Sequence, residues 1–139
     1  MLAEEAQAPR PPGFAPSIRV TAMPADTNPY GDIFGGWLMS QMDLAASSIA
    51  SRHSRGRAVT IAADAMVFHR PVSVGDEVSV FATLVGVGRT SMRVRTEAWR
   101  RARNDEATEK VTEAVFTFVA IGEDRQKRSV PPMPGGATT

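Results

Sequence analysis

A single carboxylate, Asp43, interrupts an otherwise apolar run of Leu38, Met39, Met42, Leu44, Ala45, Ala46 and Ile49, with no Lys or Arg within one helical turn. Burying an unpaired carboxylate is expensive, so an aspartate in such company is the most informative residue of the chain. At helical spacing its own stripe is Gly36, Met39, Ser40, Ala46, Ser47 and Ala50, a small and partly polar groove. The pattern alone leaves equal room for a surface aspartate, or one bonded to a nearby backbone amide, because an apolar helix without a clear polar face does not fix its own orientation. Asn28, Gly31, Gly35 and Gly36 lie in the loop that enters this stretch. Two adjacent glycines at a helix start let another chain or a ligand come close to the backbone. The first-turn amides there lack intrahelical partners and carry the positive end of the helix dipole, so they can hold an oxyanion. The plainer alternative is that Gly35 and Gly36 only let the helix pack on a sheet and that Asn28 caps a turn.

Other chemistries find less support. His53 and His69 have no second His or acid at a metal-ligand spacing, so no metal is expected, and they read as markers of a helix end and a strand end. Ser40, Ser47, Ser48 and Ser51 do not sit in a G-x-S-x-G elbow. There is no G-x-x-x-x-G-K-[ST], and Gly86-Val87-Gly88 is too short for a dinucleotide fingerprint. With no cysteine, a thiolate zinc site, a cysteine nucleophile and a disulfide framework are excluded, and a reducing cytoplasm is the default.

The elements that must position these residues fit one domain of 139 residues, 42% hydrophobic. Residues 1–16 and 126–139 are expected to be mobile tails around a folded domain at 17–125. The acidic start carries no signal-peptide pattern, and no run approaches the roughly 20 apolar residues of a membrane span. A short strand is predicted over 17–22 and a helix over about 36–53, which lacks proline and internal glycine. Strands are predicted over 58–68, 78–84, 91–99 and 111–121, the last four able to pair consecutively as an antiparallel meander. One long apolar helix wrapped by one antiparallel sheet is the α+β arrangement this order supports.

The net charge of +1 conceals an asymmetry. Residues 1–51 carry a net −3, whereas 52–103 carry ten arginines against four acids, a net +6. Arginine suits bidentate phosphate contact. Arg93, Arg95, Arg100 and Arg101 read as a solvated outer sheet face; Arg89 in a glycine-bounded turn, and Arg55, Arg57 and Arg70 at element ends, are better placed for a phosphate.

The stretch MPADTNPYGDIFGGWLMSQMDLAA, with its N-x-x-G-x-x-x-G-G block followed by an acidic residue, continues through VTIAADAMVFHRPVSVGD, VGRTSMRV and AVFTFVA. These blocks, in this order from about Arg19 to Ile121, resemble the hotdog-fold acyl-CoA thioesterases, in particular the small bacterial YciA-like acyl-CoA hydrolases. The resemblance implies a hotdog fold and a site assembled at a dimer interface. It makes Asp43 the general base or nucleophile, Asn28 of the facing subunit the residue that positions water or thioester, and the amides near Gly35 and Gly36 the oxyanion donors. It also implies that CoA lies along Ile61, Ala62 and Ala63 and along Thr90, Ser91 and Met92; Arg89 is added as a phosphate contact on chemical grounds. A homo-oligomer, a trimer of dimers, is the implied assembly, with acyl-CoA as substrate and no metal or redox cofactor.

Three other functions are weighed. A hotdog hydratase or dehydratase would pair a His with a carboxylate, and no His lies close in sequence to Asp43. A non-enzymatic acyl-CoA sensor is disfavoured by the presence of both Asn28 and Asp43. A nucleic-acid binder would want an aromatic stacking motif among the arginines, and the sequence shows none.

Overall fold

The computed structural model describes residues 10–64 and 66–136. The chain passes through strand β1 (Ile18–Thr21), helix α1 (Gly35–Ser54), and strands β2 (Ala58–Ala63), β3 (Glu77–Val87), β4 (Ser91–Arg101) and β5 (Thr108–Ala120). The five strands form one antiparallel sheet in the order β1-β3-β4-β5-β2. Helix α1 lies on this sheet, chiefly against β3 and β4. No described helix is long and apolar enough to cross a membrane.

Sheet packing resolves the orientation that the apolar helix left open. Leu38, Met42, Ala45, Ala46 and Ala50 are buried, a 3–4 residue spacing that forms one face. The three alanines let the backbone settle close to the strands. Gly36, Met39, Ser40, Leu44 and Ser48 remain exposed on the other side. Of the groove drawn from sequence, Ala46 and Ala50 therefore belong to the core and not to a cleft. The helix ends where Arg55 turns left-handed at φ 59° and its N–H bonds to the carbonyl of Ser51.

Strand alternation holds in the centre of the sheet. Met92, Val94, Thr96 and Ala98 of β4, and Ala114, Phe116, Phe118 and Ala120 of β5, all point into the core. Phe81 of β3 departs from that alternation: it lies on the other face, yet it is buried, with Phe14 edge-on to it at 5.8 Å between ring centroids.

Two expectations about strands need correction. Only β3, β4 and β5 form a meander; β2 is not next to β3 but pairs with β5 at the far edge, Ala58 opposite Ala120 and Thr60 opposite Phe118. None of the described residues of 64–76 lies in a strand, and the span is long enough to carry the chain back across the sheet, where a hairpin would have needed a tight turn. The predicted strand to Phe68 stops at Ala63. Beyond it the ladder with β5 thins to isolated bonds from Asp64 N–H to the Val115 carbonyl and from His69 N–H to the Val111 carbonyl.

The expected tails lie partly outside the described residues, at 1–9 and 137–139. Residues 126–133 lie on the fold. Lys127 bridges to Ile121, Val130 and Met133 pack against the core, and His53 Nε2–H donates to the Pro131 carbonyl at 2.8 Å.

Candidate active site

Asp43 sits in the third turn of α1, half-buried, on the border between the buried and exposed faces of the helix. The Thr60 hydroxyl donates to its Oδ1 at 2.6 Å. Thr60 belongs to β2, just before a bulge at Ile61 where the register with β5 slips. The bond therefore runs from the edge strand to the middle of the helix and fixes one oxygen of the carboxylate. No Lys or Arg pairs with Asp43 among the described residues. A carboxylate that is oriented but not neutralised can accept a proton or attack an electrophile.

Asn28 organises the loop before the helix. Its Oδ1 accepts the N–H groups of Tyr30 at 2.9 Å and Asp32 at 3.1 Å, while its main chain bonds to Asp32 and to Gly31. Gly31 has φ +88°, a conformation that favours glycine. The turn-capping role is thus real for the side-chain oxygen of Asn28. Its Nδ2 makes no hydrogen bond among the described residues, and none joins Asn28 to Asp43 within the chain.

Gly35 and Gly36 open α1 behind Phe34, whose side chain provides no cap. Among the described residues a Cβ at Gly36 would meet nothing within 4 Å, and one at Gly35 would touch only the edge of the Phe68 ring at 3.6 Å. Neither glycine is required by close packing within the chain, and neither has a positive φ. Both are exposed, with first-turn amides free of side-chain caps. An apolar pocket of about 190 Å³ opens beside them, lined by Ile33, Phe34, Leu38, Phe68 and Val72 among others.

The two stretches expected to meet CoA stand apart. Ile61, Ala62 and Ala63 are exposed on β2, whose outer edge has no neighbouring strand among the described residues. Thr90, Ser91 and Met92 lie at the β3–β4 turn and the start of β4. Met92 and Thr60 both stand opposite Phe118, one on each side of β5, so the stretches are two strands apart, roughly 10 Å. Met92 is fully buried, because β4 alternation turns it inward, so its side chain is not available to a ligand. Arg89 is exposed and has no acidic partner among the described residues.

Of the four arginines expected on a solvated outer face, Arg93 and Arg95 are about half exposed, whereas Arg100 and Arg101 are drawn into ion pairs at the end of the sheet and are only 22% and 29% exposed. Arg93 pairs with Asp64, Arg95 with Glu97 and Glu113, Arg100 with Asp76 and Glu109, and Arg101 with Glu77. Arg70, expected to be a phosphate candidate, is paired with Glu109 at 3.5 Å. Arg55 and Arg57 are exposed and carry no ion pair among the described residues. No group of three potential metal ligands occurs among the described residues. Thr60 carries a single signal in the sequence, a hydroxyl inside the apolar strand AVTIAA.

One helix cradled by an antiparallel sheet is the hotdog architecture. A hexameric hotdog fold thioesterase of Campylobacter jejuni superposes with a TM-score of 0.79, at 39% identity over 85% of this chain and 91% of that one. The model of the Thioesterase superfamily matches residues 30–107, more than half the chain, and the chain belongs to that superfamily. Among relatives, a Zymomonas mobilis protein named an uncharacterized acyl-CoA thioester hydrolase is 55% identical over 90% of this chain and 84% of its own length. The acyl-CoA thioester hydrolase YciA of Salmonella typhimurium is 45% identical over 82% of this chain and 88% of its own.

Proposed function

We propose that this chain hydrolyses acyl-CoA thioesters to free CoA and a carboxylic acid, with Asp43 as the acting carboxylate. The observation that carries the reading is an accessible, unpaired Asp43 held by Thr60 on the central helix of a thioesterase-superfamily fold. The activity named for relatives at 45–55% identity agrees with it.

Asp43 either takes a proton from water, which then adds to the thioester carbonyl, or adds to that carbonyl itself to give an anhydride that water opens. Both routes pass through a tetrahedral oxyanion, and both expel CoA as its thiolate, which then gains a proton. In this reading the uncapped amides at Gly35 and Gly36 hold the oxyanion, which the positive end of the helix dipole would favour. No metal or redox cofactor enters either route.

Asn28 of the facing subunit completes the site in this account. Within one chain Asn28 does not bond to Asp43, and Met39, Leu44, Val59 and Ile61 leave an exposed apolar surface around the Asp43–Thr60 pair. Apolar surface of that kind marks an interface. The free edge of β2 offers main-chain groups to a partner or to the amides of pantetheine. CoA would run by Ile61, Ala62 and Ala63 and the main chain of Thr90, Ser91 and Met92 toward Arg89. A trimer of such dimers fits the hexamer named for the Campylobacter jejuni protein. The absence of cysteine fits a cytoplasmic setting.

Release of free thiol from a panel of acyl-CoAs of increasing chain length tests the activity. Thiol release by the wild type that is lost in Asp43→Ala supports the reading, and a wild type that releases none from any member defeats it.

A further inference from the structure

Arg128 lies in a segment expected from sequence to be a tail, yet its guanidinium makes four hydrogen bonds, more than any other among the described residues. Nε donates to the Ile121 carbonyl at 3.0 Å, Nη1 to the Ser54 carbonyl at 2.7 Å, and Nη2 to the Ser54 hydroxyl at 3.2 Å and the Arg57 carbonyl at 3.1 Å. No acid pairs with it among the described residues. One planar cation therefore joins the end of α1, the approach to β2 and the exit of β5, and its charge stands where the helix dipole is negative.

The main chain extends the same connection. Arg128 N–H bonds to the Ala120 carbonyl, Ala120 N–H to Thr90, Ile121 N–H to Arg57, and Val130 N–H to Arg89. These bonds bring the backbones of Arg57 and Arg89 to one end of the sheet, beside the helix end that carries Arg55. All three side chains are exposed and free of ion pairs among the described residues. Gly56 leaves the space that Arg128 fills: a Cβ there would stand 2.6 Å from Nη2. Its φ lies outside the left-handed region, so alanine is compatible with the backbone but not with the guanidinium where it lies.

We propose that Arg128 is a positioning residue for the phosphate-bearing end of the substrate: it holds the backbone of Arg57 directly, that of Arg55 through the adjoining Ser54 and that of Arg89 through Val130 of its own segment, so that the three free cations receive the phosphates of CoA. This rests on the acyl-CoA reading above. It differs from a direct phosphate contact, because four donor contacts of Arg128 are already committed to the protein.

Three variants separate positioning from charge. Arg128→Ala removes the connection, Arg128→Lys keeps the charge without the planar fork, and Gly56→Ala keeps every arginine while displacing the guanidinium. Calorimetric titration with CoA is expected to show affinity about ten-fold weaker in all three, with kcat on acyl-CoA within about two-fold of wild type and KM raised by the same factor as the loss of affinity. Gly56→Ala carries the measurement if Arg128→Ala does not fold. Unchanged CoA affinity in Gly56→Ala, full affinity in Arg128→Lys, or a fall in kcat as large as the rise in KM overturns the proposal. A wild type that binds CoA yet releases no thiol would defeat the hydrolase reading alone, and the titrations would still decide the role of Arg128.

Discussion

Thr60 Oγ1 donates a 2.6 Å hydrogen bond to Asp43 Oδ1 across 17 residues of sequence, joining the edge strand of the sheet to the middle of the helix. A hydroxyl that donates to a carboxylate oxygen leaves the other oxygen for chemistry and restricts the rotation of the group. Thr60→Val keeps the shape and removes the donor. Hydrogen bonds to charged groups contribute about 1.5–3 kcal/mol, so kcat is expected to fall about ten- to a hundred-fold. The same bond ties the edge strand to the helix, so the melting temperature should fall with it by roughly 5–10 °C while the protein stays folded. Steady-state kinetics and a thermal melt of the same preparation check both halves.

Gly36 offers a second separation of fold from function. Alanine there meets open space within the chain and favours the helix by up to about 1 kcal/mol. Gly36→Ala is therefore expected to fold at least as stably as the wild type. If ligand or partner backbone approaches the helix start, as the proposed oxyanion role requires, kcat/KM on acyl-CoA should fall at least about ten-fold despite the intact fold. A stable variant with full activity would remove Gly36 from the site.

Stability should respond to Asp76 and hardly at all to Arg93. The Asp76 carboxylate is 6% exposed and accepts both the Ser73 N–H at 2.9 Å and Arg100 Nη1 at 3.0 Å. Removing it leaves Arg100 with Glu109 as its remaining acid and the Ser73 N–H without its acceptor, and losing a buried partner of this kind costs about 1–3 kcal/mol. Arg93–Asp64 is a surface pair with both side chains more than half exposed, worth less than about 1 kcal/mol. Chemical denaturation of Asp76→Ala and Arg93→Ala should show this difference, and equal midpoints for the two would contradict it.

The alternation that marks β3, β4 and β5 is legible because each has one face on the core and one away from it; Val94, Thr96 and Ala98 show that pattern without any knowledge of neighbours. The helix was legible from its length and lack of breakers, but not the placing of Asp43, because Leu44 and Ala45 look alike in sequence while one is 58% exposed and the other 1%. Which strand lies beside β5 depends on long-range pairing, so Ala58–Ala63 was read into a simple meander. The docking of 126–133 turns on Arg128 meeting carbonyls more than 70 positions away, and a proline-rich composition gives no sign of such a partner. Thr60 was missed for the same reason: its hydroxyl matters only once the strand lies beside the helix.

Subunit mixing tests the central claim most directly. Asn28→Ala and Asp43→Ala chains are purified separately, each expected to be nearly inactive on acyl-CoA, then mixed under conditions where subunit exchange is confirmed. If Asp43 of one chain works with Asn28 of its partner, random dimers regain roughly a quarter of wild-type thiol release, from the one intact site in each heterodimer. A mixture that exchanges subunits and remains as inactive as its parents would contradict a site shared between chains.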